Sequence, residues 1–295
     1  MAAGVCRVIG GEQRYEDRYF VVRDGLKLHY RDYPGASDRP PILCLHGLTR
    51  NSRDFADFAE RYSPAFRVIA LEFRGRAESD YDPLPMRYNP LTYAADVIEL
   101  LDQLAIDQAI FVGTSLGGLV TMAVAAIQPQ RIFAAILNDV GPVLTPVGLE
   151  RIQGYVGRDA RFSSWDEAAA ALAANQGSAF PKYANDDWIQ MARRNCREEN
   201  GEIRFDYDMS IIIPFENAPT PKIDMWPLFT ALGQKPLLVV RGAISDLLSA
   251  ESLEKMHAAV PGMQSVTVPD TGHAPMLDEP EAAGAVDAFL GSLVS

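Results

Sequence analysis

Cysteine, histidine and positive charge are all in short supply in this chain of 295 residues. Its three cysteines, Cys6, Cys44 and Cys196, stand far apart and form neither a C-x-x-C pair nor a disulfide framework. That usage fits a reducing, cytoplasmic compartment. The four histidines show no H-x-H or H-E-x-x-H spacing, so no metal is expected. Neither G-x-G-x-x-G nor G-x-x-x-x-G-K-[ST] occurs, which removes dinucleotide and P-loop readings and leaves no cofactor to expect. Lys and Arg total 27 against 39 Asp and Glu, a net charge of −12. A balance of that sign argues against nucleic acid or an anionic membrane as partner. No apolar run approaches the roughly 18–20 residues of a membrane span. The start, MAAGVCRVIGGEQRYEDR, has neither the basic nor the apolar region of a secretory signal.

What is present is a globular composition, 48% hydrophobic, with Gly and Pro punctuating the whole length. RYFVVR (18–23) and LKLHYR (26–31) flank Asp24-Gly25, which predicts an antiparallel hairpin. The pattern then changes to short, nearly continuous apolar runs: 41–47, 66–73, 108–115, 132–139, 235–242 and 265–270. Such runs suit strands covered on both faces, as in parallel sheets. Helical patterns lie between them at 51–62, 90–104, 116–128 and 278–293. Strand alternating with helix predicts a doubly wound α/β sheet. Between Asp139 and Lys235 the alternation stops, in a stretch holding Trp165, Trp188 and Trp226. A structureless loop of that length is implausible inside a compact domain, so 142–231 is expected to be a helical cap over a core formed by 1–141 and 232–295.

Gly113-Thr114-Ser115-Leu116-Gly117 is a G-x-S-x-G with a strand pattern before it and a helix pattern after it. A tight strand-to-helix turn would expose Ser115 at a helix N-terminus, where backbone dipoles favour developing negative charge. Of the histidines, His29 falls in the hairpin as a half-exposed strand residue and His257 in a helix, while His46 ends a buried strand. His273 sits on a loop just after the last strand and is the candidate general base. Two carboxylates stand at strand ends to orient it, Asp246 in RGAISDLLS and Asp139 in ILNDVGP. Asp246 is preferred, because its loop is expected beside the histidine's.

The order Ser115, Asp246, His273, with His46-Gly47 upstream, resembles the α/β-hydrolase superfamily, in particular carboxylesterase- and lactonase-like members with a helical lid. The resemblance implies a mostly parallel eight-stranded sheet with helices on both faces. It also implies an oxyanion hole from the backbone N–H groups of Leu48 and Leu116, with His46 shaping that loop. Two departures stand out. Where many members carry D-x-R-G-x-G-x-S, this chain has Glu72 through Ser79 as E-F-R-G-R-A-E-S, and its acid loop is one residue longer than the common G-x-x-D.

A serine nucleophile points to acyl transfer on esters or lactones, since relatives that open epoxides or displace halide use aspartate there. Carbon–carbon hydrolysis of ring-fission products is the alternative reaction. Those relatives carry tryptophan after the catalytic histidine, whereas Ala274 stands here. A non-catalytic ligand-binding protein of the same fold is the alternative from another class. Arg50, Trp226 and Met276 are candidate substrate contacts, Arg50 as a partner for a substrate carboxylate. The expected partner is a small molecule with an apolar acyl or aryl part, bounded by aromatic residues of the lid.

Overall fold

The computed structural model describes residues 14–216 and 224–294. Cys6 lies outside them. The strands are β1 (Glu16–Val21), β2 (Lys27–Tyr33), β3 (Ile42–Leu45), β4 (Val68–Leu71), β5 (Ala109–Thr114), β6 (Ile132–Asn138), β7 (Arg161–Phe162), β8 (Cys196–Glu199), β9 (Glu202–Phe205), β10 (Leu237–Gly242) and β11 (Gln264–Val268). The helices are α1 (Ala56–Tyr62), α2 (Pro90–Gln103), α3 (Leu116–Ile127), α4 (Pro146–Tyr155), α5 (Trp165–Gln176), α6 (Asn185–Asn195), α7 (Ile213–Glu216), α8 (Trp226–Leu232), α9 (Ala250–Ala259) and α10 (Pro280–Ser292).

Eight strands form one sheet in the order β1-β2-β4-β3-β5-β6-β10-β11. The first two pairings, β1 with β2 and β2 with β4, are antiparallel; the others are parallel. This is the α/β-hydrolase fold that the resemblance implies. The apolar runs become strands for the reason read from them: β3 and β4 are buried at every residue, because helices cover both faces. One face packs Leu43, Phe111, Leu137 and Val239 against α2, α3 and α8, and the other packs Ile42, Val112, Ile136 and Val240 against α1 and α10. The hairpin turn is one residue longer than a two-residue turn, spanning Arg23–Gly25, with Gly25 at φ +90°. Asn51 caps the short helical turn that leads into α1 by accepting the Arg53 N–H, and Asn89 caps α2.

The lid is not helical alone. Besides α4, α5 and α6 it holds an antiparallel three-stranded sheet in the order β7-β9-β8. Asn200-Gly201, both at positive φ, make the turn between β8 and β9. The lid has its own small core of Phe162, Leu172, Phe180, Trp188 and Met191. It is fastened to the sheet by the Arg53–Asp206 ion pair (2.5 Å) and by Asn51 and Arg53 donating to the Arg194 carbonyl. The core resumes earlier than expected: α8 buries Phe229 and Leu232 in the main cluster and packs on α3. No helix among the described residues is long and apolar enough to cross a membrane.

Candidate active site

Parallel strands carry their following loops to one edge of the sheet, and β5 and β6 are neighbours there, with Thr114 opposite Asn138. Ser115 follows Thr114 at φ +51° and ψ −113°, a strained conformation for a residue with a Cβ. The strain is imposed by packing on either side. A Cβ on Gly117 would lie 2.0 Å from the Leu45 carbonyl oxygen, and one on Gly113 would lie 2.6 Å from the Gly117 backbone. Only glycine lets α3 start this close to β3 and β5.

His273 Nε2 stands 2.9 Å from Ser115 Oγ, and its Nδ1 stands 2.8 Å from Oδ2 of Asp139. The expectation that Asp246 orients the histidine is therefore corrected. The Asp246 carboxylate is gripped by Arg151 of α4, through Nε and through Nη2 at 2.8 Å. Burial pushes its carboxyl up, but the Arg151 hydrogen bond and charge outweigh this and hold it below the usual range. Asp139 is fully buried at φ +53°. Besides His273 it takes the Gly242 N–H at 2.8 Å and the Ser245 hydroxyl at 2.6 Å, so both of its buried oxygens are hydrogen-bonded. Ser245 stands at the fourth position of G-A-I-S, where the common acid motif has its aspartate. The extra residue moves Asp246 one step beyond that position and into the reach of Arg151.

The N–H groups of Leu48 and Leu116 have no acceptor among the described residues, and Leu48 and Ser115 line the same cavity. His46 is buried and plays no direct part: its Nδ1 bonds the Gly47 carbonyl at 2.7 Å while Nε2 accepts the Phe73 N–H at 3.1 Å. Burial, with the nearby Arg76 charge, lowers its pKa to about 3, so the ring stays neutral and braces the turn. Arg76 braces the same turn, donating to the Leu48 carbonyl at 3.1 Å and to Tyr93 at 2.8 Å. Sequence reading missed that role; a charged residue between the small Gly75 and Ala77 was its signal.

The loop that departs from the D-x-R-G-x-G-x-S pattern keeps its shape by compensation. Ala77, in place of the second glycine, adopts φ +44°. Glu72 is buried and accepts from His29 (2.8 Å), Ser52 (2.6 Å) and the Glu78 N–H (3.0 Å). Burial pushes the Glu72 carboxyl up, but these bonds and the His29 charge hold it at about 2. His29, expected half-exposed, is 1% exposed between Glu72 and Asp17. His257 is half-buried and bonds Ser265.

The cavity beside Ser115 is small, about 50 Å³, and more polar than the aromatic lid suggested. Arg50, Asp54, Tyr155 and Gln176 line it together with Phe55, Ile152 and Met276. Arg50, whose side chain is 13% exposed, and Met276 both line this cavity. Trp226 is not: it lies at the start of α8 against Phe229, outside the cavity lining. Phe162, Phe180 and Trp188 pack the lid's own core. Met276 also lines an outer cleft of about 390 Å³ between the lid and the loop preceding α10. No group of three or more metal-ligating side chains is found among the described residues.

Residues 42–286 match the model of the alpha/beta hydrolase family. The 3-hydroxybutyrate-oligomer hydrolase of Cupriavidus necator is 32% identical over 276 residues, covering 90% of this chain and 94% of that protein. The 2-(acetamidomethylene)succinate hydrolase of Mesorhizobium japonicum is 28% identical, over 79% of this chain and 81% of that one. Among solved structures, an alpha/beta hydrolase from Novosphingobium aromaticivorans superposes with a TM-score of 0.91 at 51% identity, covering 95% of this chain and 99% of the other. With the family model spanning most of its length, this chain belongs to the alpha/beta hydrolase family and is a hydrolase.

Proposed function

We propose that the substrate is a carboxylic ester or lactone, cleaved by acyl transfer through Ser115. The observation that carries this reading is the unbroken line from Ser115 Oγ through His273 to Asp139, with the serine held on a strained elbow. Ser115 attacks the carbonyl carbon as its proton passes to Nε2 of His273. The oxygen that takes up the electron pair lies against the N–H groups of Leu48 and Leu116. The tetrahedral intermediate collapses, the alcohol leaves with the proton from His273, and an acyl-enzyme remains. Water then repeats the sequence, His273 taking its proton, and the acid departs. Asp139 holds the Nδ1–H tautomer and balances the imidazolium.

Esters are favoured over ring-fission acids by the charge at the cavity. A ring-fission acid brings a carboxylate that must be paired under the lid. Arg50 is the arginine that lines the cavity, but Asp54 stands 3.5 Å from it and already balances its charge. The likeness to a hydrolase of 3-hydroxybutyrate oligomers supports the same choice. A short acyl chain fits the small cavity, against Phe55 and Ile152.

Labelling with a serine-directed fluorophosphonate, followed by a panel of short esters, lactones and dienoate acids, tests the proposal. Ser115 is expected to carry the label and the Ser115→Ala protein to lose turnover by a factor on the order of 10³ or more. Dienoate acids turned over more than tenfold better than every ester and lactone would overturn it.

A further inference from the structure

The cavity at Ser115 is too small for a whole ester. At roughly 10–15 Å³ for each water, its 50 Å³ is room for about four waters, or for one short acyl group. The alcohol portion must lie elsewhere, and the proton transfer says on which side. The leaving oxygen takes its proton from Nε2 of His273, so the alcohol departs along the loop that carries that ring. Ala274, Pro275 and Met276 of this loop line the catalytic cavity. Met276 also lines the outer cleft of about 390 Å³. That cleft is built on both shoulders of the same loop, residues 268–271 before His273 and 278–281 after it, with Asp187, Met191 and Arg194 of α6 on the lid side. Two methionines separate the two spaces: Met276, which lines both, and Met191, whose sulfur rests 3.9 Å from Nη2 of Arg50. A methionine side chain is unbranched and turns about three bonds, so such a partition yields readily.

From this we infer that the outer cleft is the alcohol subsite, with Met276 as the gate between it and Ser115, and that it selects alcohols free of negative charge. The inference deepens the ester reading and rests on Ser115 as the nucleophile. Phe180 and Tyr183, stacked at 4.6 Å, line the cleft together with Pro269, Met276 and Pro280, which suits an aryl or alkyl group. The charge works against an acid. Five carboxylates line the cleft, Asp187, Asp270, Asp278, Glu279 and Glu281, against the two cations Lys182 and Arg194. Both cations already hold an ion pair, Lys182 with Asp270 at 2.7 Å and Arg194 with Asp57 at 2.5 Å. An alcohol bearing a carboxylate or a phosphate meets like charge there, a repulsion that salt screens. An uncharged alcohol pays nothing of the kind, and a cationic one gains.

The experiment compares three butanoate esters in the purified full-length protein: those of 4-propylphenol, of 3-(4-hydroxyphenyl)propanoate and of 4-(2-trimethylammonioethyl)phenol. Two methylenes insulate each phenol from the charge, so the leaving groups are chemically alike. At low salt the anionic ester is expected to have a kcat/KM about tenfold or more below both others. That gap is expected to shrink to within about threefold in about 0.5 M NaCl. The double variant Asp278→Asn/Glu281→Gln, at two exposed positions, is expected to narrow it likewise at low salt. Met276→Trp fills the passage and is expected to lower the kcat/KM ratio of 4-propylphenyl to methyl butanoate by about tenfold. An anionic ester turned over as fast as the cationic one, a gap unmoved by both salt and the double variant, or a wild-type ratio in Met276→Trp would each overturn the inference while leaving ester hydrolysis intact. Calorimetric binding of the free phenols to Ser115→Ala reads the subsite without turnover. Tighter binding of the cationic phenol than of the anionic one, by about tenfold, supports the subsite even if hydrolysis fails, and equal binding refutes it.

Discussion

At the residue scale the decisive finding is the exchange of one carboxylate for another. Asp139 and Asp246 both stand at strand ends in the sequence, and both had a stated claim on His273. What separates them is the strand order, which no local pattern encodes: β6 lies directly beside β5, so its last residues arrive next to Ser115. Asp246 lies four residues past β10 and is engaged by Arg151. Asp139→Asn is therefore expected to lower kcat by roughly 10³–10⁴ through the wrong histidine tautomer, while Asp246→Asn keeps kcat within about tenfold of wild type. Steady-state kinetics of the two variants decide, and the reverse order would return the role to Asp246. The serine and histidine were legible because their signals are local, a G-x-S-x-G between strand and helix and a Gly-His after the final strand. The same locality makes Gly117 a second test. With the Leu45 carbonyl oxygen 2.0 Å from the position of a Cβ, Gly117→Ala is expected to cost on the order of 3 kcal/mol or more, seen as a large drop in thermal midpoint.

At the scale of elements, the parallel strands were readable from unbroken apolar runs, and four helices from their periodicity. The lid was not. Its strands are two to four residues long and lie on a polar surface, so they lack both the run and the alternation that mark a strand. Its aromatic residues signal a core, and the structure gives Phe162, Phe180 and Trp188 to the lid's interior and Tyr155 to the cavity. The loop after β4 shows how an element survives an altered motif. Arg74, 2% exposed at its side chain, binds Asp96 through two nitrogens (2.5 and 2.8 Å), Asp82 (2.5 Å) and Asp24 (2.8 Å). Removing the cation strands the buried Asp96 and leaves the buried Asp82 with the Leu84 N–H and Asp24 with Arg87. Arg74→Met is expected to destabilise the protein by about 3–5 kcal/mol, measured by urea unfolding, and a loss under 1 kcal/mol would show that the loop is held by other contacts.

At the scale of the whole molecule, stability should decline toward acid in two windows. The folded-state pKa of His46 is lowered from 6.5 to about 3, so folding opposes its protonation. Its contribution is complete above pH 6.5 and is lost as the pH falls toward 3. Glu72, lowered from 4.5 to about 2, contributes fully above pH 4.5 and loses that contribution below it. His29 works in the opposite direction. Burial lowers its pKa, but the Glu72 hydrogen bond and charge raise it overall, so its contribution is complete below 6.5 and fades as the pH rises through the raised value. Between pH 6.5 and 4.5, then, His46 is the group to isolate. The urea midpoint of the wild type is expected to fall more steeply across that window than the midpoint of His46→Gln, and parallel slopes would remove His46 from the account. The sequence places His46 at the end of a buried strand, but not the burial of His29 and Glu72, which close over each other from 43 residues apart.

Because the acid closes β6, the serine and its carboxylate belong to one continuous ribbon, β5–α3–β6, that ends just before the lid begins. Recombination that replaced the segment between Asp139 and β10 would exchange Tyr155, Gln176 and the rest of the cavity roof without parting Ser115 from Asp139. The incoming segment would inherit certain obligations instead. It would have to offer a carbonyl to the Gly272 N–H, as Ala179 does at 2.6 Å, or the loop bearing His273 would lose its rest. New substrate pockets can thus be grafted onto this ribbon by ancestry or by design, provided the graft keeps that contact.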